Sequence, residues 1–294
     1  MRTFLDCIPC FMNQTLNAGR LMGLSDQEIK SIFDVVGKGL EDISLSNTPP
    51  EMARILQKII NDKTGLLDPY SEIKQESNIA ALRYTDKMNE LINISEDPLR
   101  AAIQVAIAGN IIDYGAIHDL DIEVELKNLM NEERLQIEIE DSSNFAYQAF
   151  KQDLATAKTL LYVGDNAGEI VFDKILIERL RREYPDIQIT FATRGEPILN
   201  DCLIEDAEFV GLDTIVSVIS SGSDAPGCVL DLCSQEFLEI FRSSDVIISK
   251  GQGNFEALSE VDAPIYYLLI AKCAAVAREL SCELRDIILK RKQQ

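Results

Sequence analysis

The stretch TLLYVGDNAGEI, residues 159–170, decides the fold, because a short apolar run ends abruptly at a glycine and an Asp-Asn pair. A run of this length, bounded by glycine and containing aromatic and β-branched side chains, is typical of a buried strand. Residues 169–182 then carry apolar side chains at helical spacing. The stretch therefore predicts a strand, a polar loop and a helix, in that order.

The same order recurs through the rest of the chain. Strands alternating with helices imply crossover connections and a mainly parallel sheet. We therefore predict an α/β fold, a doubly wound sheet with flanking helices, in residues 156–294. The further predicted strands are residues 187–192, 215–219, 246–249, 265–270 and 287–289, and the further predicted helices are 235–241 and 254–260.

Residues 1–155 follow a different pattern, in which apolar side chains recur at the spacing of helices. Ser25 and Glu28 have the spacing of a capping box, and Pro98 follows Asp97 as at a helix start. These signals predict a mostly helical N-terminal region over residues 1–155. The predicted helices are residues 4–24, 29–40, 52–60, 73–94 and 99–112.

The composition excludes several classes of function. The 294 residues include 28 Lys and Arg against 49 Asp and Glu, a net charge of −21. Such a chain lacks the clustered cations that hold nucleic acid or an anionic membrane surface. It also has neither a signal-peptide pattern nor an apolar run long enough for a membrane helix. We expect a cytoplasmic protein that binds neither nucleic acid nor membrane, and the sequence leaves a homo-oligomer open.

The scarcity of histidine limits the metal chemistry. His118 is the one histidine, which excludes any site that needs two imidazole ligands. The seven cysteines, an odd number without a secretion signal, are expected to be reduced thiols. Cys7 and Cys10 form a Cys-x-x-Cys pair that suits structural thiols, half of a metal site or a redox pair. Any other metal is expected to have hard oxygen ligands.

Polar, glycine-rich loops follow four of the predicted strands, and ligands of such sheets bind at the carboxyl ends of the strands. Asp165, Asn166 and Asp201 supply oxygen ligands for a divalent cation. Lys250 and its neighbouring glycines are suited to a phosphate. Each loop alone also fits a helix cap or a turn; together they predict one site. The four loops are residues 164–169, 193–201, 220–227 and 250–256.

Several separated segments resemble the signatures of one known family. The segments GDNAGEIVFD (164–173), RGEPILNDCLIEDA (194–207) and SKGQGNFEAL (249–258) are similar to those of the metal-dependent damage-control phosphatases, long known only as a domain of unknown function. The segments DCIPCFMNQ (6–14) and AGNIIDYG (108–115) resemble the subgroup with an N-terminal Cys-x-x-Cys. The resemblance covers nearly the whole chain and implies a Rossmann-like core that follows a helical region.

The resemblance also implies an activity and its residues. Members of the family hydrolyse small phosphoesters, especially sugar phosphates and damaged metabolites, with Mn²⁺, Ni²⁺, Co²⁺ or Mg²⁺. The ligands of the metal would be Asp165, Asn166 and Asp201. The lysine motif matches Lys250, followed by Gly251, Gly253, Asn254 and Glu256, and the residues bordering the cleft match Asn110 and Asp113.

These matches lead to a mechanistic hypothesis. Lys250 would pair with a phosphate oxygen, and backbone amides at Gly222, Gly251 and Gly253 would complete the anion site, beside Asn254. The attacking group would be water, with Asp165 or Glu169 as its base. The alternative is a transient phospho-aspartate on Asp165.

Two other functions compete with this hypothesis. The first is a carboxyl methyltransferase that uses S-adenosylmethionine, which the type of sheet permits and which was reported for one eukaryotic branch of the family. Against it, the loop after the first predicted strand has an Asp-Asn pair suited to a metal, rather than an open glycine loop for the carboxypropyl chain of the cofactor. A non-catalytic metabolite-binding module would bind without turnover. A scaffold protein leaves the polar strand ends unexplained. The sequence names neither the substrate nor the native metal.

Overall fold

The computed structural model describes residues 1–40, 44–109 and 144–292. Its N-terminal part is helical, as predicted. The capping box of Ser25 and Glu28 is present, and a second one, of Thr48 and Glu51, starts the third helix. The helices are α1 (Cys7–Leu21), α2 (Asp26–Gly39), α3 (Pro49–Thr64), α4 (Ser71–Leu82), α5 (Thr85–Ile94) and α6 (Pro98–Ala108).

The prediction of one continuous helix over residues 73–94 was wrong, because α4 ends at Leu82 and α5 begins at Thr85. The backbone N–H groups of Arg83 and Tyr84 donate to carbonyls only three residues back, which tightens the turn and stops α4. The break lets Tyr84 and the buried Met88 pack into the core around α6.

After α7 (Tyr147–Thr156), the chain forms six strands: β1 (Thr159–Val163), β2 (Gln188–Thr193), β3 (Ser217–Ser220), β4 (Val246–Lys250), β5 (Ile265–Ile270) and β6 (Ile287–Arg291). They form one sheet in the order β3-β2-β1-β4-β5-β6. Neighbouring strands are parallel except that β6 runs antiparallel to β5. The prediction of a mainly parallel, Rossmann-like sheet is therefore confirmed.

Helices cover both faces of this sheet, since strand side chains alternate between two apolar cores. The helices after β1 are α8 (Glu169–Glu183), α9 (Ile204–Phe209), α10 (Gln235–Ser243), α11 (Gly251–Leu258) and α12 (Ala274–Leu280). Leu160 and Tyr162 point into the core of α6 and α8, whereas Leu161 and Val163 point into the core of α10, α11 and α12. Helices α7, α9 and α12 were not predicted.

The helical region shares a core with the sheet. Every residue of α6 from Leu99 to Ala108 except Arg100 is buried, and its apolar side chains belong to the cluster that contains Leu160 and Phe172. A separate cluster holds α1, α2 and α3 together. The proposed division after residue 155 stays a prediction. None of the helices in the described ranges is long and apolar enough to cross a membrane.

Candidate active site

The candidate site lies where the strand order reverses. Strand β1 pairs with β2 on one side and with β4 on the other. The helix that follows β1 packs in one core and the helix that follows β4 packs in the other, so the two connections diverge. A crevice at such a point is the usual ligand site of a doubly wound sheet. The Asp165-Asn166 and Lys250-Gly251 pairs stand at its two sides.

The three predicted metal ligands come together in this crevice. Asn166 and Asp201 form an isolated antiparallel bridge, which joins the loops that follow β1 and β2. The backbone N–H of Cys202 donates to the carbonyl of Asp165 at 2.8 Å. Asp165, Asn166 and Asp201 are 6%, 8% and 3% exposed. Residues 35 positions apart in the chain thus share one small buried site.

A buried arginine holds two of these side chains. Arg194 Nε lies 2.6 Å from Asp201 Oδ2, and its Nη2 lies 3.7 Å from Asp165 Oδ1. The same Nη2 donates to Asn254 Oδ1 at 2.9 Å. Arg194 was not among the predicted site residues. The signal was present, because Arg194 directly follows β2 and opens the loop that ends at Asp201.

Asn254 ties the loops to one another. Its Nδ2 donates to the carbonyls of Gly164 and Lys250, at 2.9 and 2.7 Å. Its Oδ1 accepts from Arg194 and from the backbone N–H of Cys228, each at 2.9 Å. Through these four hydrogen bonds, the side-chain amide of Asn254 connects the strand ends to one another. The predicted contact of Asn254 with a phosphate stays a prediction.

Lys250 points into the interior beneath the crevice. Its Nζ donates to the Ala106 carbonyl at 2.9 Å, to Glu169 Oε1 at 2.6 Å and to Asp173 Oδ1. Tyr162 Oη donates to the same Asp173 oxygen at 2.7 Å. The three N–H donors of the ammonium group are therefore used within the protein. Its predicted pairing with a phosphate oxygen stays a prediction, and this arrangement would have to change to permit it.

Burial and neighbouring charges shift the pKa values of the buried lysine and of the carboxyl groups around it. Burial alone would lower the pKa of Lys250, but the carboxylates of Asp173 and Glu169 raise it above its ordinary value. Burial raises the pKa of Asp173 to about 7, in opposition to the nearby ammonium. Burial also raises the pKa of Asp165, and the carboxylates of Glu169 and Asp201 add to the rise.

Buried carboxyl groups outnumber buried cations in this set. With all groups ionised, two cations and four carboxylates leave a net charge of 2 − 4 = −2. Burying uncompensated charge is costly, so a divalent cation suits the crevice. The carboxylates are Asp165, Glu169, Asp173 and Asp201, and the cations are Arg194 and Lys250.

The amide of Asn166 has to complete the ligand set. Within the described ranges, no group of three or more His, Cys, Asp or Glu side chains is arranged to hold a metal ion. The predicted set contains two carboxylates and one amide. Asn166 Nδ2 donates to Asp165 Oδ2 at 2.9 Å and to Glu169 Oε2 at 3.2 Å. A turn of this amide would bring its oxygen to the same position, and with that turn the residues fit a hard cation.

A third cation, in addition to Arg194 and Lys250, lies at the rim of the crevice. Lys272 lies two residues beyond the end of β5 and is exposed. Burial raises the pKa of Asp165, and the charge of Lys272 opposes that rise. The backbone N–H of Lys272 donates to Gln252 Oε1 at 3.2 Å. Lys272 was not among the predicted site residues. Its position just past the carboxyl end of a predicted strand was the available signal.

The glycines of the four loops allow backbones to approach closely. Gly251 has φ +74°, and a Cβ there would overlap Asp165 Oδ2. A Cβ on Gly195 would lie 2.5 Å from the backbone of Gly222, and one on Gly253 would overlap the Pro226 carbonyl. The N–H of Gly222 donates to Ser220 Oγ at 3.1 Å. The predicted binding of phosphate by these amides stays a prediction.

The helical region supports the site from above. Asn78 of α4 donates to Asp206 Oδ1 at 2.8 Å and accepts from the N–H of Gly168 at 2.6 Å. It thereby steadies the loop that carries Asp165. Arg54 of α3 pairs with Asp224 at 2.5 Å. The predicted cleft residues Asn110 and Asp113, and also His118, lie outside the described residues.

The Cys-x-x-Cys pair opens α1, with Cys7 half-buried and Cys10 exposed. Its role stays open. All seven cysteines lie in the described ranges and are free thiols, as expected.

Comparison with known proteins identifies the family of this chain. The chain matches the model of the damage-control phosphatase ARMT1-like domain over residues 3–288. It is 36% identical to the uncharacterized protein MJ0202 of Methanocaldococcus jannaschii, over 97% of this chain and 94% of that one. It is 34% identical to damage-control phosphatase PH1575 of Pyrococcus horikoshii, over 95% and 94% of the two chains.

A solved structure of one of these relatives is similar to this chain. A crystal structure of PH1575, described as a DUF89 family protein, superposes with a TM-score of 0.87 at 31% identity and covers 100% of both chains. The family model spans nearly the whole chain and the relatives match it from end to end. The chain belongs to the damage-control phosphatase ARMT1-like family.

Proposed function

We propose that the protein is a metal-dependent phosphatase that hydrolyses small phosphorylated metabolites, such as sugar phosphates, in a damage-control role. The observation that carries the proposal is the convergence of four buried carboxyl groups, those of Asp165, Glu169, Asp173 and Asp201, with two buried cations at the crevice. Two relatives, from Pyrococcus horikoshii and Archaeoglobus fulgidus, are 34% and 29% identical to this chain and bear the name damage-control phosphatase.

Asp165, Asn166 and Asp201 would hold the metal. Two carboxylates and an amide oxygen suit Mn²⁺, Ni²⁺, Co²⁺ or Mg²⁺, and they do not select among them. When bound, the cation would offset the charge that builds on the transferred phosphoryl group.

Lys272 is the better candidate for the cation that attracts the substrate phosphate. Lys272 is exposed at the rim of the crevice, and it is close enough to Asp165 for its charge to affect the pKa of that carboxyl group. Lys250 is fully buried and bonded to Glu169 and Asp173. In this proposal Lys250 positions Glu169 beneath the crevice, and the ammonium of Lys272 pairs with a phosphate oxygen.

Asp165 is the better candidate for the base. Glu169 is fully buried, and its Oε1 already accepts a hydrogen bond from Lys250 at 2.6 Å. Asp165 is 6% exposed, so it is the carboxyl group that water reaches more readily. Asp165 would accept the proton of the attacking water.

The test is phosphate release from a panel of sugar phosphates, nucleotides and an aryl phosphate. The protein is stripped with EDTA and then supplied with each of the four metals. We expect release that requires added metal and is lost in Asp165→Asn. Asp245→Asn is the matched control, because Asp245 precedes β4 at the opposite end of the sheet.

No release from any ester with any metal would overturn the proposal. Stoichiometric binding of S-adenosylmethionine without metal would instead support a methyltransferase. Tight binding of a phosphorylated metabolite without turnover would support a binding module.

A further inference from the structure

Two thiols stand in contact beside the loops of the candidate site. Cys228 Sγ lies 3.5 Å from Cys233 Sγ. The short 3-10 helix Leu230–Leu232 turns the chain between them and brings the two residues back together. The S–S bond of a disulfide is about 2.05 Å long, so the sulfurs need to approach by roughly 1.5 Å.

The two thiols are not equivalent. Cys228 is fully buried, and its backbone N–H is held by Asn254 Oδ1 at 2.9 Å. Cys233 is half-buried and immediately precedes Ser234, the N-cap of α10. A reagent from solution therefore reaches Cys233 first, while Cys228 stays anchored behind it.

The chemistry of the thiols follows the same order. The hydrogen bond from Cys228 lowers the pKa of the Cys233 thiol, against the effect of burial. Burial raises the pKa of Cys228, and the bond to Cys233 raises it further. The more accessible thiol is thus also the better thiolate, the combination required of an attacking cysteine.

We propose that Cys228 and Cys233 form a redox-active pair, which a small disulfide such as oxidised glutathione converts to an intramolecular disulfide. The Cys233 thiolate attacks one sulfur of the oxidant, forms a mixed disulfide and releases one thiolate. Cys228 then loses its proton, attacks Cys233 Sγ and releases the second thiolate. Two protein thiols are oxidised, and one disulfide is reduced to two thiols.

The pair adjoins the network that holds the candidate metal ligands. The Asn254 oxygen that accepts from Cys228 also accepts from Arg194, which binds Asp201. Because Cys228 is anchored there, Cys233 is the residue that moves. The disulfide therefore forms without unfolding the site, and the proposal does not depend on phosphatase activity.

The experiment uses the full native chain. Oxidised glutathione is added, remaining thiols are alkylated, and the protein is digested and sequenced by mass spectrometry. We expect a link between Cys228 and Cys233, with the mass of two hydrogens lost and both residues unalkylated. Dithiothreitol added before alkylation should restore both alkylation sites.

Variants separate the two roles. Cys228→Ser should stop at a mixed disulfide with glutathione on Cys233, and Cys233→Ser should leave Cys228 unmodified. Cys10→Ser removes an exposed thiol and should still form the link. Circular dichroism reports whether each variant is folded.

Native protein in which exposed Cys10 carries glutathione, while Cys228 and Cys233 remain two alkylated thiols, would overturn the proposal. A mixed disulfide on Cys228 in folded Cys233→Ser would reverse the assigned order of attack and would also count against it.

Discussion

Arg194 Nε lies 2.6 Å from Oδ2 of Asp201, and both side chains are buried. The pair fixes the second carboxylate of the candidate metal site in the crevice. Asn254 Oδ1 accepts a hydrogen bond from Nη2 of the same guanidinium, so two hydrogen bonds fix the position of the Arg194 side chain. Arg194, which orients the side chain of Asp201, therefore lies in the same loop, seven positions earlier in the chain.

Asp201→Asn should abolish metal binding and phosphate release together. Loss of an outer partner of a metal ligand alone typically costs about 10- to 100-fold in affinity, so loss of a ligand should cost more than about 100-fold. Calorimetric titration with Mn²⁺ and phosphate release measure the two effects. Asp245→Asn should retain both, and a fully active Asp201→Ala enzyme would refute the assignment of Asp201.

Gly251→Ala should inactivate the enzyme. A Cβ at this position would overlap Asp165 Oδ2, and the φ of +74° disfavours any side chain. We expect at least about a 100-fold loss of phosphate release, since small misplacements of catalytic groups have effects of that size. Gly37→Ala is the control, because no atom lies within 4 Å of a Cβ there and the residue lies inside α2. A Gly251→Ala protein with normal activity would contradict the close approach to Asp165.

Lys250→Met should destabilise the protein more than it weakens substrate binding. It leaves Glu169 and Asp173 buried without their cation, and breaking a buried ion pair costs about 3–5 kcal/mol. Adding Asp173→Asn should recover part of the lost stability, because it removes one of the unpaired carboxylates. Urea unfolding of the single and double variants measures the coupling. An unchanged unfolding free energy with a raised KM would instead identify Lys250 as a phosphate ligand.

Lys272→Met should raise KM for phosphoesters with little change in stability. An exposed ammonium that pairs with a phosphate contributes about 1.5–3 kcal/mol, which corresponds to roughly a 10- to 100-fold rise in KM. Lys272→Arg should recover most of the affinity. Steady-state kinetics at low and high salt give the test, and an unchanged KM in Lys272→Met would exclude this residue from the phosphate site.

Glu256→Gln should stabilise the protein above pH 7. Burial raises the pKa of Glu256 to about 7, so the folded state keeps a proton that the unfolded chain has already lost. Stability from this group is present at low pH and declines as pH rises from about 4.5 to 7. After allowance for partial exposure, we expect a gain of about 1–2 kcal/mol at pH 8 and little difference at pH 4.

The measurement is thermal unfolding across this pH range. The exposed neighbouring variant Glu260→Gln should follow the wild-type curve. A constant difference between Glu256→Gln and wild type at all pH values would show that burial of this carboxyl does not govern the effect.

The sequence by itself determined the alternation of strands and helices, the mainly parallel sheet and the polar loops at the strand ends. Each of these depends on local spacing: apolar runs between glycines for strands, 3.6-residue periodicity for helices, and capping boxes such as Ser25 with Glu28. The positions of Asp165, Asn166 and Asp201 in strand-end loops could also be predicted, and their role as metal ligands stays a prediction.

Only the tertiary structure decided where the charged side chains point. Lys250 and Lys272 both lie at or just past strand ends, yet one is buried beneath the crevice and the other is exposed at its rim. The partners of Arg194 and Asn254 come from strands and loops far apart in the chain. The physical reason is that the direction of a strand-end side chain depends on the helix packed against that face of the sheet, a contact that local sequence does not encode.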